Sequence, residues 1–169
     1  MDINDLAWNE TLNKRFNNSL FPRSLRGLIV GKSGSGKTTL LLNLLLRPGW
    51  LDYDNLYDFG KSLFQPEYRI LKKAFEEQLP KEAILRLFDN QNEIMSRNLS
   101  PINILEEMAK NHTNKSNIDC KFYESASDVP DPRDISPEKK NLIIFDDLLL
   151  ERQNNLLAIW STYNLLATS

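Results

Sequence analysis

An α/β fold, with a mostly parallel sheet flanked by helices, is the class this sequence predicts, and three observations carry it. Short apolar runs, Leu28-Ile-Val30 and Leu142-Ile-Ile-Phe145, alternate with longer stretches of helical periodicity. A glycine-rich turn, Gly31 to Gly36, joins the first run directly to a leucine-rich helix. The second run ends in two acids, Asp146 and Asp147. Strands that alternate with helices build parallel sheets, because a parallel pair needs a crossover of about a dozen residues.

Residues 1–23 are polar with scattered large apolar side chains (Leu6, Trp8, Leu12, Phe16, Phe21), which predicts an arm packed on a domain of residues 24–169. Ser24–Val30 is expected as the first strand, buried at Leu28, Ile29 and Val30. Thr38–Leu46 predicts a helix apolar on nearly every side, the pattern of one buried between a sheet and other helices. Asn55–Phe59 alternates apolar and polar, the period of a second strand. Pro66 opens a helix with Ile70, Leu71, Ala74, Phe75 and Leu79 on one face, and Pro80 restarts it as a shorter one carrying Ile84, Leu85, Leu87 and Phe88. Residues 89–99 read as a polar loop. Ser100-Pro101 is an N-cap and first-turn pair before a helix with Ile104, Leu105, Met108 and Ala109. A second polar loop over 111–119 leads to a short strand at Cys120–Tyr123. Val129–Pro137, with its prolines, is extended or turned. Leu142–Phe145 is a buried strand, followed by a helical stretch rich in Leu, Ile and Trp.

Bulk properties narrow the class further. A chain of 169 residues is about one domain, and it buries roughly 70% of its unfolded surface. Hydrophobic content of 41% and charged content of 26% fit a globular chain. A net charge of −2 excludes a global basic field for nucleic acid and leaves room only for a local patch. With Cys120 the only cysteine, no internal disulfide forms; a reducing compartment fits, and the thiol is expected as a small buried hydrophobe. Met1–Glu10 is too acidic and polar for a secretory signal. The longest apolar stretch, Leu40–Leu46, is broken by Asn43 and falls far short of the ~20 residues of a membrane span. The expectation is a soluble intracellular protein with no membrane partner.

The chemistry lies at the carboxyl ends of the two apolar runs. Gly31-Lys-Ser-Gly-Ser-Gly-Lys-Thr38 is G-x-x-x-x-G-K-T between a strand and a helix, the context of a Walker A P-loop. Gly31, Gly34 and Gly36 let the chain turn back close to a phosphate, and the N–H groups of Lys32 to Thr38 form an anion cradle at a helix N-terminus. Lys37 reaches the β- and γ-phosphates, and the Thr38 hydroxyl ligates Mg²⁺. The nucleotide contacts expected for ATP are Gly31, Lys32, Ser33, Gly34, Ser35, Gly36, Lys37, Thr38 and Thr39. Asn141-Leu-Ile-Ile-Phe-Asp146-Asp147 fits a Walker B pattern, acids at the carboxyl tip of a buried strand where parallel sheets bind ligands. Asp146 is the Mg²⁺-side acid. Asp147 either orients the attacking water as general base, with a reach one methylene shorter than glutamate, or caps the following helix. His112 reads as a solvated loop histidine, Arg133 as a turn arginine and Glu151 as a helix-surface carboxylate. The Lys14-Arg15 and Lys139-Lys140 pairs are too few to define a DNA path.

Gly27–Leu46, the stretch Tyr57-Asp-Phe-Gly-Lys-Ser-Leu-Phe-Gln-Pro-Glu-Tyr68, and Asn141–Gln153 resemble the poxvirus-type genome-packaging ATPases. These belong to the FtsK/HerA branch of P-loop motors and also occur in virus-like transposable elements of the Polinton or Maverick kind. The resemblance covers most of residues 24–153. It implies a RecA/ASCE-like P-loop NTPase fold, C-terminally incomplete here, because the family continues with a sensor strand, further core strands and an arginine finger. It also implies ATP hydrolysis that drives double-stranded DNA into a capsid, a homo-oligomeric ring, capsid components as partners, and a location in the cytoplasm or nucleus of an infected or element-bearing cell. Lys37, Thr38, Asp146 and Asp147 match the family's nucleotide site position by position. With that continuation absent, the expectation is a chain that binds ATP and hydrolyses it weakly or not at all, and two other readings stay open: a nucleotide or small-molecule kinase of the P-loop class, and a non-catalytic nucleotide-binding interaction protein.

Overall fold

The computed structural model describes residues 25–60, 63–125 and 130–146, with residues 21 and 128. They belong to two compact units, Met1–Asp52 with Lys81–Asp89, and Tyr53–Pro80 with Asn90–Ser169. The expected arm over 1–23, apart from residue 21, lies outside the described residues, as do Asp147 and the helical stretch expected after it.

In the first unit, helix α1 (Lys37–Leu46) continues from the glycine-rich turn. Only Leu42, Leu45 and Leu46 are buried, and Leu40 stays 44% exposed, so the helix covers one face rather than the all-round burial its composition predicts. That face packs on the helix Lys81–Asp89, whose Ala83, Ile84 and Leu87 are buried. Arg47 leaves the helix in an extended conformation because Pro48 comes next. The expected first strand is not formed. Residues 25–30 run without strand pairing, and Leu28 and Val30 are 83% and 82% exposed. A strand exists only as part of a ladder, and no described segment pairs with this one.

The second unit holds a parallel three-stranded sheet among the described residues, in the order β2-β1-β3, with β1 Asn55–Gly60, β2 Asp119–Tyr123 and β3 Asn141–Asp146. Numbered in chain order, the helices after α1 are α2 (Pro66–Glu76), α3 (Lys81–Asp89, in the first unit), α4 (Gln91–Ser96) and α5 (Pro101–Asn111). Helix α2 has Pro66 in its first turn and buries Tyr68, Ile70, Leu71, Ala74 and Phe75 against β2 and α5. Helix α4 corrects the polar loop expected over 89–99. It buries Ile94 and ends where Asn98 turns left-handed at φ 55°, so that the Leu99 and Asn98 N–H groups donate to the Ile94 and Met95 carbonyls.

Strand β1 has a neighbour on each edge and cover on each face, so all six of its residues are buried. Its alternation predicts a half-buried strand; the central position overrides that pattern. The reverse holds for β3, expected as fully buried: it lies at one side of the described sheet, is half-buried, and leaves Phe145 37% exposed. One face of the sheet gathers Tyr57, Phe59, Tyr123, Ile143 and Ile135, with Phe59 stacked 4.8 Å from Tyr123 and 5.4 Å from Phe145. The other carries Leu56, Asp58, Gly60, Ile144 and Asp146 by register.

The amino edge of the sheet is hydrogen-bonded through. The Asp54 carboxylate accepts from the Lys140 N–H at 2.9 Å, the Lys140 carbonyl accepts from Asp54 and Asn55, and the Asp54 carbonyl accepts from Asp119. Asn55 donates to Asn141 Oδ1 at 2.8 Å, and Asn141 donates on to the Ser136 and Lys139 carbonyls. These bonds fix the register of both neighbours on β1.

Leu71, fully buried in α2, tests this core. Leu71→Ala is expected to cost about 2–5 kcal/mol, read as a lower urea midpoint, whereas Lys72→Ala on the exposed side leaves stability within about 0.5 kcal/mol of wild type.

Candidate phosphate loop and carboxylate cluster

The glycine-rich turn has the backbone that its sequence predicts. Gly34 and Gly36 sit at φ 75° and 85°, a left-handed conformation costly for any residue with a Cβ. Gly31 is needed for another reason: a Cβ there would collide with Ser35 Oγ. The Ser35 N–H donates to the Lys32 carbonyl at 3.2 Å and closes the turn. Gly36 is the N-cap of α1 and supplies no side-chain acceptor, and no acid stands in the first turn of the helix. Lys37 folds back over the loop and donates from Nζ to the Gly31 carbonyl at 2.7 Å and the Lys32 carbonyl at 2.9 Å. Residues 31–36 and Thr39 are exposed, and Lys37 and Thr38 are half-buried. An ammonium gathered over backbone turns at an uncapped, positively polarised helix end fits an anionic phosphate.

The second cluster is built at the carboxyl end of the sheet. Asp146 closes β3 in register with Gly60, the last residue of β1. A side chain at position 60 would press on the Asp146 backbone, since a Cβ there lies 3.0 Å from the Asp146 carbonyl oxygen. The Tyr68 hydroxyl, from the first turn of α2, donates to Asp146 Oδ2. Two residues before Gly60, on the same face, Asp58 is fully buried, and neither of its carboxyl oxygens has a hydrogen-bond partner among the described residues. Burial first, and the neighbouring Asp146 carboxyl second, push the Asp58 carboxyl up to about 7. Burial, then the bond to Asp146, raise the Tyr68 phenol well above its ordinary value, so its hydroxyl keeps the proton it donates. Hard oxygen donors of this kind suit a divalent cation such as Mg²⁺.

The sequence singles out Gly31–Thr39 and Asp146; it misses Asp58 and Tyr68. In Asn-Leu-Tyr-Asp-Phe the alternation puts Asp58 at a solvent-facing position, and only the central place of β1 in the sheet buries it. Both residues nonetheless lie within the Tyr57–Tyr68 stretch that the sequence reading sets apart. The lesser candidates have structural roles. Arg133 is held by both oxygens of Asp131, at 3.0 and 2.6 Å, and this pairing lowers the Asp131 carboxyl to about 2. His112 is the C-cap residue of α5. Cys120 is half-buried instead of buried. No group of three metal-ligating residues drawn from His, Cys, Asp and Glu occurs among the described residues, and no described helix is long and apolar enough to cross a membrane.

Asp58 sets a pH test. Its carboxyl titrates near 7 when folded against an ordinary value of 3.8, so between those pH values the folded chain holds a proton that the unfolded chain has released. Stability is expected to fall as pH rises from about 4 to about 7, at roughly 1 kcal/mol per pH unit, and to level off above. Asp58→Asn removes this slope and raises the urea midpoint at pH 7.5. A slope of equal size in the variant shows that other groups produce it.

Compared with known proteins, the chain matches no family model, no curated protein and no solved structure.

Proposed function

We propose that this chain binds ATP with Mg²⁺ through the loop Gly31–Thr38, as a P-loop ATPase subunit of the kind that packages double-stranded DNA. One observation supports nucleotide binding above the rest: Gly34 and Gly36 are both left-handed, and the turn they make opens on the uncapped start of α1 with the Lys37 ammonium drawn over it. Glycines at these two positions, with Lys and Thr directly after, are the arrangement that backbone-cradled phosphate requires.

Each residue then has a task. The N–H groups of residues 32–38 hold the phosphate oxygens. Lys37 exchanges the Gly31 and Lys32 carbonyls for the β- and γ-phosphates; because it already lies over the loop, little side-chain entropy is lost on binding. The two sequence patterns assign the Thr38 hydroxyl and the Asp146 carboxylate to Mg²⁺, whose charge would stabilise the phosphoryl oxygens during transfer. Asp147, one residue beyond β3, is the candidate for orienting water and lies outside the described residues. The packaging role, with DNA, a subunit ring and capsid partners, rests on the resemblance of the three stretches named above. The parallel sheet flanked by helices is compatible with it.

Titration with a fluorescent ATP analogue and Mg²⁺ tests the reading. Wild type is expected to bind, and Lys37→Ala to bind about 10- to 100-fold more weakly, the loss of one charge-assisted contact. Equal affinity of the two proteins overturns it. Hydrolysis stimulated by double-stranded DNA marks the motor, phosphate transfer to a nucleotide marks a kinase, and binding without turnover marks a non-catalytic form.

A further inference from the structure

Asp146 is held from the side by a residue that neither apolar run contains. Tyr68 is 1% exposed, fixed in the first turn of α2 behind Pro66, and its hydroxyl donates to Asp146 Oδ2. Beneath, on the same face of the sheet, stands the buried and unpartnered Asp58 carboxyl. Asp146 stands at the strand end and is only half-buried, and the phenol limits how its carboxylate can turn. It occupies one oxygen of Asp146 and leaves the other for a ligand, as an outer partner does for a metal-binding carboxylate.

We propose that Tyr68 is the positioning residue of Asp146: its buried hydroxyl orients the Asp146 carboxylate toward a divalent cation. This rests on the reading of Asp146 as the Mg²⁺-side acid. It gives the Tyr57–Tyr68 stretch a physical purpose, since Asp58, Gly60 and Tyr68 all meet Asp146. Asp58 lies beneath it, Gly60 leaves room beside it, and Tyr68 ties it down.

Tyr68→Phe keeps the ring and removes only the hydroxyl, so packing in α2 is preserved. Binding of the fluorescent ATP analogue is measured across a Mg²⁺ titration for wild type and Tyr68→Phe. The Mg²⁺ half-point is expected to rise about tenfold in Tyr68→Phe, with Mg²⁺-free nucleotide affinity unchanged. A merely structural tyrosine would lower both affinities together. An unmoved half-point, or equal losses with and without Mg²⁺, overturns the proposal. If wild type binds no nucleotide, the P-loop reading falls on its own, and Mn²⁺ binding to the protein, monitored by electron paramagnetic resonance, decides for Tyr68. Weaker Mn²⁺ binding in both Tyr68→Phe and Asp146→Asn upholds the proposal, whereas no Mn²⁺ binding in wild type, or an unaltered Tyr68→Phe, rejects it.

Discussion

Everything in the second unit depends on β1 being hydrogen-bonded along both edges and covered on both faces. A strand so enclosed has no solvent-facing side, and its residues must suit a dry interior whatever their type. Leu56, Tyr57 and Phe59 do so readily. Asn55 does so only in part: its amide donates to Asn141, while its own Oδ1 has no partner among the described residues. Asp58 does not: it enters the core with both oxygens unsatisfied, and burial holds it near neutral charge at moderate pH.

The two ends of the sheet are therefore unlike. At the amino end, Asp54, Asn55, Lys140 and Asn141 are joined through bonds of 2.8 to 3.1 Å that set the register, with Asn55 Oδ1 left without a partner among the described residues. At the carboxyl end an unpartnered carboxyl and a second acid are kept side by side, with one phenol between them and the helix. Stability is gained at the first end and lost at the second. Natural folds tolerate that imbalance mainly where a ligand or a reaction uses the group, and the carboxyl end is where parallel sheets bind.

Local signals in the sequence are sufficient wherever structure is local. The glycine pattern at 31, 34 and 36 sets the loop, Pro66 and Pro101 set helix starts, and β1, β2 and β3 all form within a residue or so of their predicted bounds. Burial is not legible in the same way, because partners far along the chain decide it. The run Leu28-Ile-Val30 has the composition of a buried strand and pairs with no described segment. β3 has the same composition and is half-buried, while the more polar β1 is wholly enclosed. Asp58 escapes a sequence reading for this reason, and Tyr68 because its partner lies 78 residues away. The short helix α4 escapes it because six polar-rich residues around one Ile94 show no period, and the left-handed Asn98 that ends it is visible only as backbone.

The contrast between Lys37 and Asp58 shows two ways of keeping a charged side chain ready. Lys37 is already solvated by two carbonyls of its own loop, so giving them up for a phosphate exchanges one set of hydrogen bonds for another with little net change. Asp58 has no such partners, and its charged form is disfavoured until something positive arrives. A cation beside Asp146 would relieve both acids at once, whereas a neutral ligand would relieve neither. The loop is thus tolerant of waiting and the carboxyl cluster is not.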